Sequence, residues 1–454
     1  MTNDFPKAFG VWFKSLNRWD PMSYHGIQWH WPIQIMRPIS SILRMRKEKV
    51  DRHKHPFSVL QPITIHFDGS IEKRDLEPDR EYSMDLFFAK PGDIVVAKID
   101  LKNGAVGIVP DWENVVVTSH FAVYEPDRAR LLPEYFERLI QADFFKAYLW
   151  RNKVGAEGRK EVKLDFFESI EIPLPPRSVQ ETIVRRWKTA QDEIAAIRSG
   201  IVKRQEEIEI GLLKKIGINM QVPKLRKGAF ALTSDYFERW DTFFYREDFI
   251  DLENQLSNLN AKPLEKVVHF ISRPWKRADF SKGTFRYIEI SSVTKEQGII
   301  GCREVSIDEP PSRATTLVKA GDILLSTTRP YLGAFTIVPQ EYDNSVCTSA
   351  FALADSVNEE VLDKKFLLYF LRSSAGLRQM ERRMTGGLYP AIVQSELEKI
   401  RLPLPPLKAQ KAFVQAADEI RTQIAEGRKF SETKADAMKT QIEEMILGIR
   451  PVPQ

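Results

Sequence analysis

Apolar and polar positions along the chain follow two patterns, one typical of short strands and one typical of helices. Short apolar runs preceded by turn residues predict strands at 94–99, 115–118, 121–124, 323–326, 335–338 and 351–354. Apolar residues spaced by three and four predict helices within 133–150 and 362–380. Because strands and helices do not alternate strictly, the pattern predicts an α+β fold.

Two longer apolar stripes each follow a proline-rich segment. The segments 172–176 and 402–406 must be extended, because proline fixes φ and disfavours helix in the residue before it. After each segment, apolar residues recur at alternating steps of three and four, from Ile183 to Ile208 and from Phe413 to Ile449. This spacing is typical of a coiled-coil seam and predicts two long helices. Each helix could pack on its own domain, but we expect the two to pack on each other.

The same landmarks occur twice and in the same order, which indicates an internal duplication. Arg-Trp-Asp stands at 18–20 and 239–241, Gly-Asp-Ile at 92–94 and 321–323, Thr-Ser-x-Phe-Ala at 118–122 and 348–352, and Pro-Leu-Pro-Pro at 173–176 and 403–406. We therefore predict two similar domains at 1–178 and 223–406, a central helix at 179–222 and a C-terminal helix at 407–450.

The composition narrows the class of protein. With 454 residues, 43% of them hydrophobic, the chain is long enough for two large domains or three smaller ones. Only two cysteines are present, Cys302 and Cys347, which excludes a disulfide framework and favours a reducing compartment. No apolar run reaches the ~18 residues of a membrane span, and the first residues lack a signal-peptide pattern, so we expect a cytoplasmic protein. A net charge of +5 permits a nucleic-acid partner without requiring one.

Basic residues cluster at similar places in both copies. The first cluster lies between residues 44 and 54, and the second lies between residues 273 and 286 among aromatic residues. Cationic side chains release the counterions that condense on DNA, so these clusters are candidate phosphate contacts, although a solvated helix face is the alternative for the first. The candidates chosen from them are Arg44, Arg46, Lys47, Arg273, Lys276 and Arg277.

Glycine combined with arginine precedes the last short helix of each copy. Glycine allows a close approach of the backbone, and arginine can pair with guanine through two hydrogen bonds, although a plain surface turn is the alternative. Further basic and aromatic residues stand in the turns before Gly104 and Gly333. Together these positions add the candidates Lys98, Lys102, Arg159, Lys160, Arg329, Tyr331, Arg382, Arg383, Gly386 and Gly387.

The duplicated order of a domain, an Ile/Leu-Pro-Leu-Pro-Pro-x-x-x-Gln junction and a long helix resembles the specificity (S) subunit of type I restriction–modification systems. The Gly-Asp-Ile strand starts and the stretches 348–351 and 385–390 look like the target recognition domains of that family, and the second stretch adds Tyr389 to the candidate DNA contacts. The first copy departs from this pattern at 155–160, where Gly-Ala-Glu-Gly-Arg-Lys replaces the Gly-Gly-x-Tyr-Pro form.

The resemblance implies two target recognition domains, each followed by a long helix, with the helices packed as an antiparallel coiled coil of pseudo-two-fold symmetry. Each domain would read one half of a bipartite site in double-stranded DNA, and the helices would set the spacing. The expected partners are two methyltransferase subunits, and restriction motor-nuclease subunits can join this complex. The chain itself is then non-catalytic and binds no cofactor or metal, and S-adenosylmethionine is expected on the methyltransferase.

Two other functions remain open at this point. A stand-alone metal-dependent nuclease could use Asp111, Glu161 and Lys163, and metal-dependent cleavage by the isolated chain would favour it. The second alternative is a scaffold that assembles proteins without contacting DNA. Absent or salt-insensitive DNA binding would favour this scaffold function. The sequence contains no Walker loop and no Asn/Asp-Pro-Pro-aromatic signature of amino-methyltransferases.

Overall fold

A computed structural model describes residues 26–74, 84–154, 161–220, 237–281 and 283–453. The chain divides into two compact units. Unit 1 comprises Met1–Ile197 together with Lys429–Gln454, and unit 2 comprises Arg198–Arg428. None of the helices in the described ranges is both long and apolar enough to cross a bilayer.

Unit 1 contains two four-stranded sheets and a group of short helices. Its strands are β1 (Met36–Pro38), β2 (Leu43–Arg46), β3 (Gln61–Ile65), β4 (Ile71–Lys73), β5 (Leu86–Phe88), β6 (Ile94–Ala97), β7 (Val106–Ile108), β8 (Val115–Thr118), β9 (Phe121–Pro126) and β10 (Glu171–Pro173). Its helices are α1 (Pro133–Gln141), α2 (Asp143–Arg151), α3 (Leu164–Ser169) and the first part of the long helix α4 (Arg177–Ile216). The sheets have the orders β2-β9-β6-β7 and β4-β3-β8-β5, and β1 pairs with β10.

Unit 2 repeats this arrangement with one extra hairpin. Its helices are α5 (Glu247–Asn258), α6 (Lys364–Arg372), α7 (Ser374–Arg383), α8 (Gln394–Leu397) and the first part of the long helix α9 (Leu407–Leu447). Its strands are β11 (Lys262–Pro263), β12 (Val268–Ile271), β13 (Thr284–Ile288), β14 (Val293–Thr294), β15 (Gly298–Ile299), β16 (Arg303–Ser306), β17 (Ala314–Val318), β18 (Ile323–Ser326), β19 (Phe335–Ile337), β20 (Ser345–Thr348), β21 (Phe351–Val357) and β22 (Arg401–Leu402).

The two units share one topology. The sheets of unit 2 have the orders β12-β21-β18-β19 and β16-β13-β20-β17, and β11 pairs with β22. In both units one pair in the second sheet is parallel, β3 with β8 and β13 with β20, while the other pairs are antiparallel. Among the described residues, unit 2 also contains the hairpin β14–β15 and helix α5, which have no described counterpart in unit 1. This correspondence confirms the duplication and the α+β class predicted from the sequence.

Strands β6 and β18 of the first sheets are buried on both faces, which explains why each is a largely continuous apolar run. In β6, Ile94 and Val96 pack with the helices, whereas Val95 packs with the second sheet. In β18, Ile323 and Leu325 likewise face the helical side, and Leu324 faces the second sheet. Successive strand residues point to opposite faces, so each unit has three layers: helices, first sheet and second sheet.

Each helix predicted within 133–150 and 362–380 is in fact a pair of shorter helices. Ala142 separates α1 from α2 and Ser373 separates α6 from α7, both with extended backbone. The Ser373 hydroxyl accepts a hydrogen bond from the Gly376 amide and thereby caps α7. Glycine is required at position 376 because a Cβ atom there would collide with the Phe370 carbonyl oxygen. Apolar spacing alone continues through such a break, so the sequence pattern did not reveal it.

The two long helices pack against each other in antiparallel orientation, as predicted. In unit 1, Ile183 near the start of α4 shares a core with Ile442 and Ile446 near the end of α9. Further along, Glu193 of α4 forms an ion pair with Lys434 of α9. In unit 2 the later part of α4 packs with the start of α9, where Leu212 and Leu213 share a core with Val414.

Candidate nucleic-acid interface

Unit 2 brings five of the predicted DNA contacts together on two adjoining loops. Arg329 and Tyr331 belong to the turn 327–333 between β18 and β19, and Gly386, Gly387 and Tyr389 belong to the loop 384–391 after α7. We call these two segments the paired loops. The sequence separates them by more than fifty residues, so their proximity is a result of the fold.

Backbone hydrogen bonds hold the paired loops in place. The Arg329 amide donates to the Pro390 carbonyl oxygen at 2.8 Å, and the Ile392 amide donates to the Thr327 carbonyl oxygen at 2.8 Å. Arg329 has a φ of +47°, a left-handed conformation that is uncommon for residues other than glycine. Its guanidinium carbon lies 5.8 Å from the ring centroid of Tyr389, within the range of a cation–π interaction.

Beside Tyr389, the paired loops also expose apolar side chains that were not selected from the sequence. Leu388 is 83% exposed and Tyr389 71%, and Leu332 and Val393 are more than half exposed beside them. A cluster of exposed apolar groups indicates an interaction surface. Aromatic and apolar side chains next to an arginine suit contact with bases as well as with phosphates.

In unit 1 the corresponding turn carries Lys98 and Lys102. Gly104 ends this turn with a left-handed backbone, as Gly333 does in unit 2. Lys98 and Lys102 each bind a nearby backbone carbonyl oxygen through their ammonium groups, those of Ser119 and Ile99. The candidates Arg159 and Lys160 lie outside the described residues.

A tryptophan adds an aromatic group to the unit 1 turn. Trp150 of α2 is about half exposed, with the Lys153 ammonium 3.3 Å and the Lys102 ammonium 6.0 Å from its ring centroid. In the sequence, Trp150 served only as the end of a predicted helical segment and was not selected as a candidate contact. A basic and aromatic combination of this kind can contact both the backbone and the bases of a nucleic acid.

Arg46 and Arg273 are held inside the fold, which argues against their predicted role in phosphate binding. The Arg46 guanidinium binds the buried Asp93 carboxylate at 2.6 Å, and this hydrogen bonding raises the pKa of Arg46. Arg273 forms the corresponding pair with buried Asp322. These aspartates are those of the two Gly-Asp-Ile motifs, so the motif aspartate fixes an arginine in each unit.

Arg382 and Arg383 are also buried, being 7% and 8% exposed. Arg382 binds Glu253 at 2.9 Å and lies over the Phe244 ring, with its guanidinium carbon 4.0 Å from the centroid. Burial lowers the pKa of Arg382. Arg383 binds both Glu238 and Glu396 at 3.0 Å. Because their charges are compensated within unit 2, the geometry argues against direct phosphate contacts by this pair.

Glu396 shows how strongly the arginine cluster is compensated. Burial alone would raise the pKa of its carboxyl group, but hydrogen bonds from Lys399 and Arg383 lower it below the ordinary value. The carboxylate is therefore ionised at neutral pH, which keeps Arg383 paired.

The other basic candidates remain on the surface. The region that was considered as a solvated helix face is instead strand β2 followed by a turn, so the helix is wrong, whereas the exposure of its basic residues is confirmed. Arg44 is exposed and forms an ion pair with Glu125, and Lys47 and Lys276 are exposed. Arg277 is exposed and binds Asp308 at 2.7 Å. Exposed ion pairs of this kind contribute little to stability and can be exchanged for phosphate.

The residues considered for a nuclease do not form an evident metal site. Lys163 binds Glu161 at 2.6 Å; the lysine is largely exposed and the glutamate is partly exposed. Within the described ranges, no group of three or more histidine, cysteine, aspartate or glutamate side chains is placed to hold a metal ion.

Comparison with known proteins agrees with this arrangement. A family model described as the type I restriction modification DNA specificity domain matches residues 84–206 and 260–429. The putative type I restriction enzyme MjaX specificity subunit of Methanocaldococcus jannaschii is 23% identical over 433 residues, 92% of this chain and 93% of that protein. The type I restriction enzyme MjaVIII specificity subunit of the same organism is 25% identical over 304 residues, 66% of each chain.

A solved structure shares the fold. The chain is similar to one from a study of complex assembly and conformational transition of the type I R-M system, with a TM-score of 0.53 and 17% identity. The match covers 90% of this chain and 97% of the other. The two matched stretches of the family model, one in each copy of the repeated topology, together cover more than half of the chain. The chain therefore belongs to the type I restriction modification DNA specificity family and carries the family domain twice.

Proposed function

We propose that this chain is the DNA specificity subunit of a type I restriction–modification complex and that each recognition domain reads one half of a bipartite site. The observation that carries the proposal is the family domain matched twice, once in each of two units that share one topology. Two domains that share one fold but expose different residues are suited to recognise two half-sites of different sequence.

The exposed loops support DNA as the ligand. In unit 2, Arg329 and Tyr389 lie together at the surface, and in unit 1 the corresponding turn carries Lys98 and Lys102. The recognition domains in this proposal span 1–178 and 223–406, and the helices 179–222 and 407–450 connect them.

The proposed complex divides its labour between chains. Methyltransferase subunits, two in this proposal, dock on the specificity subunit and bind S-adenosylmethionine, and motor-nuclease subunits can join them. The chain described here contributes recognition and spacing, whereas catalysis belongs to its partners in the cytoplasm.

Methylation mapping tests the proposal. The chain is co-expressed with its methyltransferase partner in a host that lacks both, and modified bases are located across the genome. We expect one motif made of two defined halves separated by a fixed stretch of unspecified bases. A single undivided motif, or the same motif without this chain, would contradict the proposal.

A second assay addresses the nuclease alternative. The isolated chain is incubated with supercoiled DNA and Mg²⁺ or Mn²⁺, alongside the Glu161→Ala variant. We expect no cleavage by either protein. Metal-dependent cleavage that is lost in the variant would favour the nuclease.

A further inference from the structure

A buried glutamine links the start of each long helix to its recognition domain. Gln180 of α4 is fully buried, and its side-chain oxygen accepts a hydrogen bond from the Leu132 amide at 2.8 Å. Its side-chain nitrogen donates to the carbonyl oxygens of Arg130, at 2.8 Å, and Pro175, at 2.9 Å. One carboxamide thus joins the helix, the proline segment and the turn before α1.

Gln410 makes the same three hydrogen bonds in unit 2. It is fully buried in the first turn of α9, accepts from the Asp363 amide at 3.0 Å, and donates to the carbonyl oxygens of Val361 and Pro405, each at 2.8 Å. A carboxamide can both donate and accept, which no apolar residue or carboxylate could do here. The repetition of all three bonds shows that this joint belongs to the repeated unit.

A glutamate from the opposite long helix holds each domain at a second point. In unit 1, Glu443 of α9 accepts a hydrogen bond at 2.8 Å from the amide of Asp143, the first residue of α2. In unit 2, Glu209 of α4 accepts one at 2.9 Å from the amide of Ser374, the first residue of α7. The first amides of a helix have no partner within the helix, so each glutamate caps one of them.

The two points of attachment lie on different helices. In unit 1 the glutamine comes from α4 and the glutamate from α9, and in unit 2 these origins are exchanged. A recognition domain that tilted about one helix would therefore break partly buried hydrogen bonds to the other. A donor or acceptor that loses its hydrogen bond and cannot bind water instead destabilises the protein, so the arrangement resists tilting.

From this geometry we propose that Gln180, Gln410, Glu209 and Glu443 are positioning residues that fix each recognition domain on the helix pair. The inference rests on the proposed function, because its consequence is a narrow range of tolerated distances between the two half-sites. In this proposal the helix length sets the distance between the recognition domains, and the four side chains keep the DNA-contacting loops at that distance.

Spacer selectivity in the assembled complex tests this inference. The full chain, in complex with its methyltransferase subunits, is given DNA in which the mapped half-sites are separated by the native spacer or by one base pair more or fewer. The variants are Gln180→Leu, Gln410→Leu and Glu443→Leu. Gln191→Leu and Gln415→Leu serve as controls, since both residues are exposed on the same helices. Glu443→Gln tests rescue, because an amide oxygen can still accept from Asp143.

For each of the variants Gln180→Leu, Gln410→Leu and Glu443→Leu, we expect the ratio of methylation at altered spacers to methylation at the native spacer to rise about tenfold. This corresponds to about 1.4 kcal/mol. The half-site sequences should stay unchanged, and the control variants and Glu443→Gln should keep the narrow profile. A merely structural role would lower activity at all spacers equally and leave this ratio unaltered.

The inference would be overturned if these three variants assembled and kept the unsubstituted methylation ratio. It would also be overturned if Glu443→Leu and Glu443→Gln raised that ratio equally. If the glutamine variants do not assemble, the two Glu443 variants decide alone, since each changes a single hydrogen bond to the domain. Failure of the proposed function is distinguishable, because the unsubstituted complex would then show no bipartite motif at all.

Discussion

The guanidinium groups of Arg329 and Arg383 lie in the same unit but in opposite surroundings. Arg329 is exposed on the paired loops beside Tyr389, whereas Arg383 is buried between two glutamates. A cation can release counterions from DNA only if it reaches the phosphates, so position in the fold separates these two arginines.

Replacing Arg383 with alanine should destabilise unit 2. The change leaves Glu396 partly buried without this cation, and because Glu238 remains more accessible we expect a loss of about 2–3 kcal/mol, below the range for fully buried pairs. Hydrogen exchange across unit 2 at rising urea concentration measures the loss. The salt dependence of DNA binding should not change, and a reduced salt slope at unaltered stability would show that Arg383 contacts phosphate after all.

Replacing Arg329 with alanine should have the converse effect. We expect stability to be unchanged and DNA binding by the assembled complex to weaken, with the log–log salt slope smaller by about 0.9 if the contact is to one phosphate. If Arg329 instead reads a base, discrimination at one position should fall by about 1–3 kcal/mol at an unaltered slope. Lys266→Ala, at an exposed lysine of the same unit, is the control. Unchanged affinity and specificity would exclude both kinds of contact.

For the candidate interface, the sequence predicted residue types better than their environment. Arg329, Tyr331 and Tyr389 were selected because their motifs mark turns, and the fold then brings the two turns together. The burial of Arg383 could not be foreseen, since Glu238 is 145 positions away and their contact depends on the tertiary fold. Trp150 was missed because an apolar residue at helical spacing is ordinarily part of the core.

At the scale of elements, α4 and α9 are each continuous helices of about forty residues. Their length and pairing follow from local apolar spacing, which is why the sequence predicted them. The division of the shorter helices at Ala142 and Ser373 depends instead on caps, and Glu443 and Glu209 supply caps from distant segments. Interactions of such long range leave no local pattern.

Lengthening both long helices by one turn should change the spacer. Four residues inserted after Gln191 and four after Asp436, near the Glu193–Lys434 ion pair, add about 6 Å while roughly preserving the apolar faces. Since B-DNA rises about 3.4 Å per base pair, the spacer should lengthen by one or two base pairs.

Methylation sequencing measures this spacer. Insertion of two residues at each position turns the seam by about 200° and should impair assembly instead. An active four-residue variant that still reads the native spacer would show that the helices do not set the distance.

At the scale of the whole molecule, the duplicated topology predicts separable recognition. Exchanging residues 1–172 for the equivalent domain of a relative should change one half of the methylated motif and leave the other half intact, because the second domain keeps its own loops. Methylation mapping of the chimaera gives the result. A change in both halves, or in neither, would contradict the assignment of one half-site to each domain.

The composition of unit 1 has a consequence for biosynthesis. Its core includes Ile183 and Val184 of α4 together with Ile442, Met445 and Ile446 of α9, yet about 230 residues of unit 2 are translated between Ile197 and Lys429. At about 5–20 residues per second, the ribosome needs roughly 10–50 s to make that interval. During this time the apolar surface on the first-made segment is uncovered and available to chaperones and proteases. The part of the protein that is synthesised first therefore cannot complete its core until the last helix has been made.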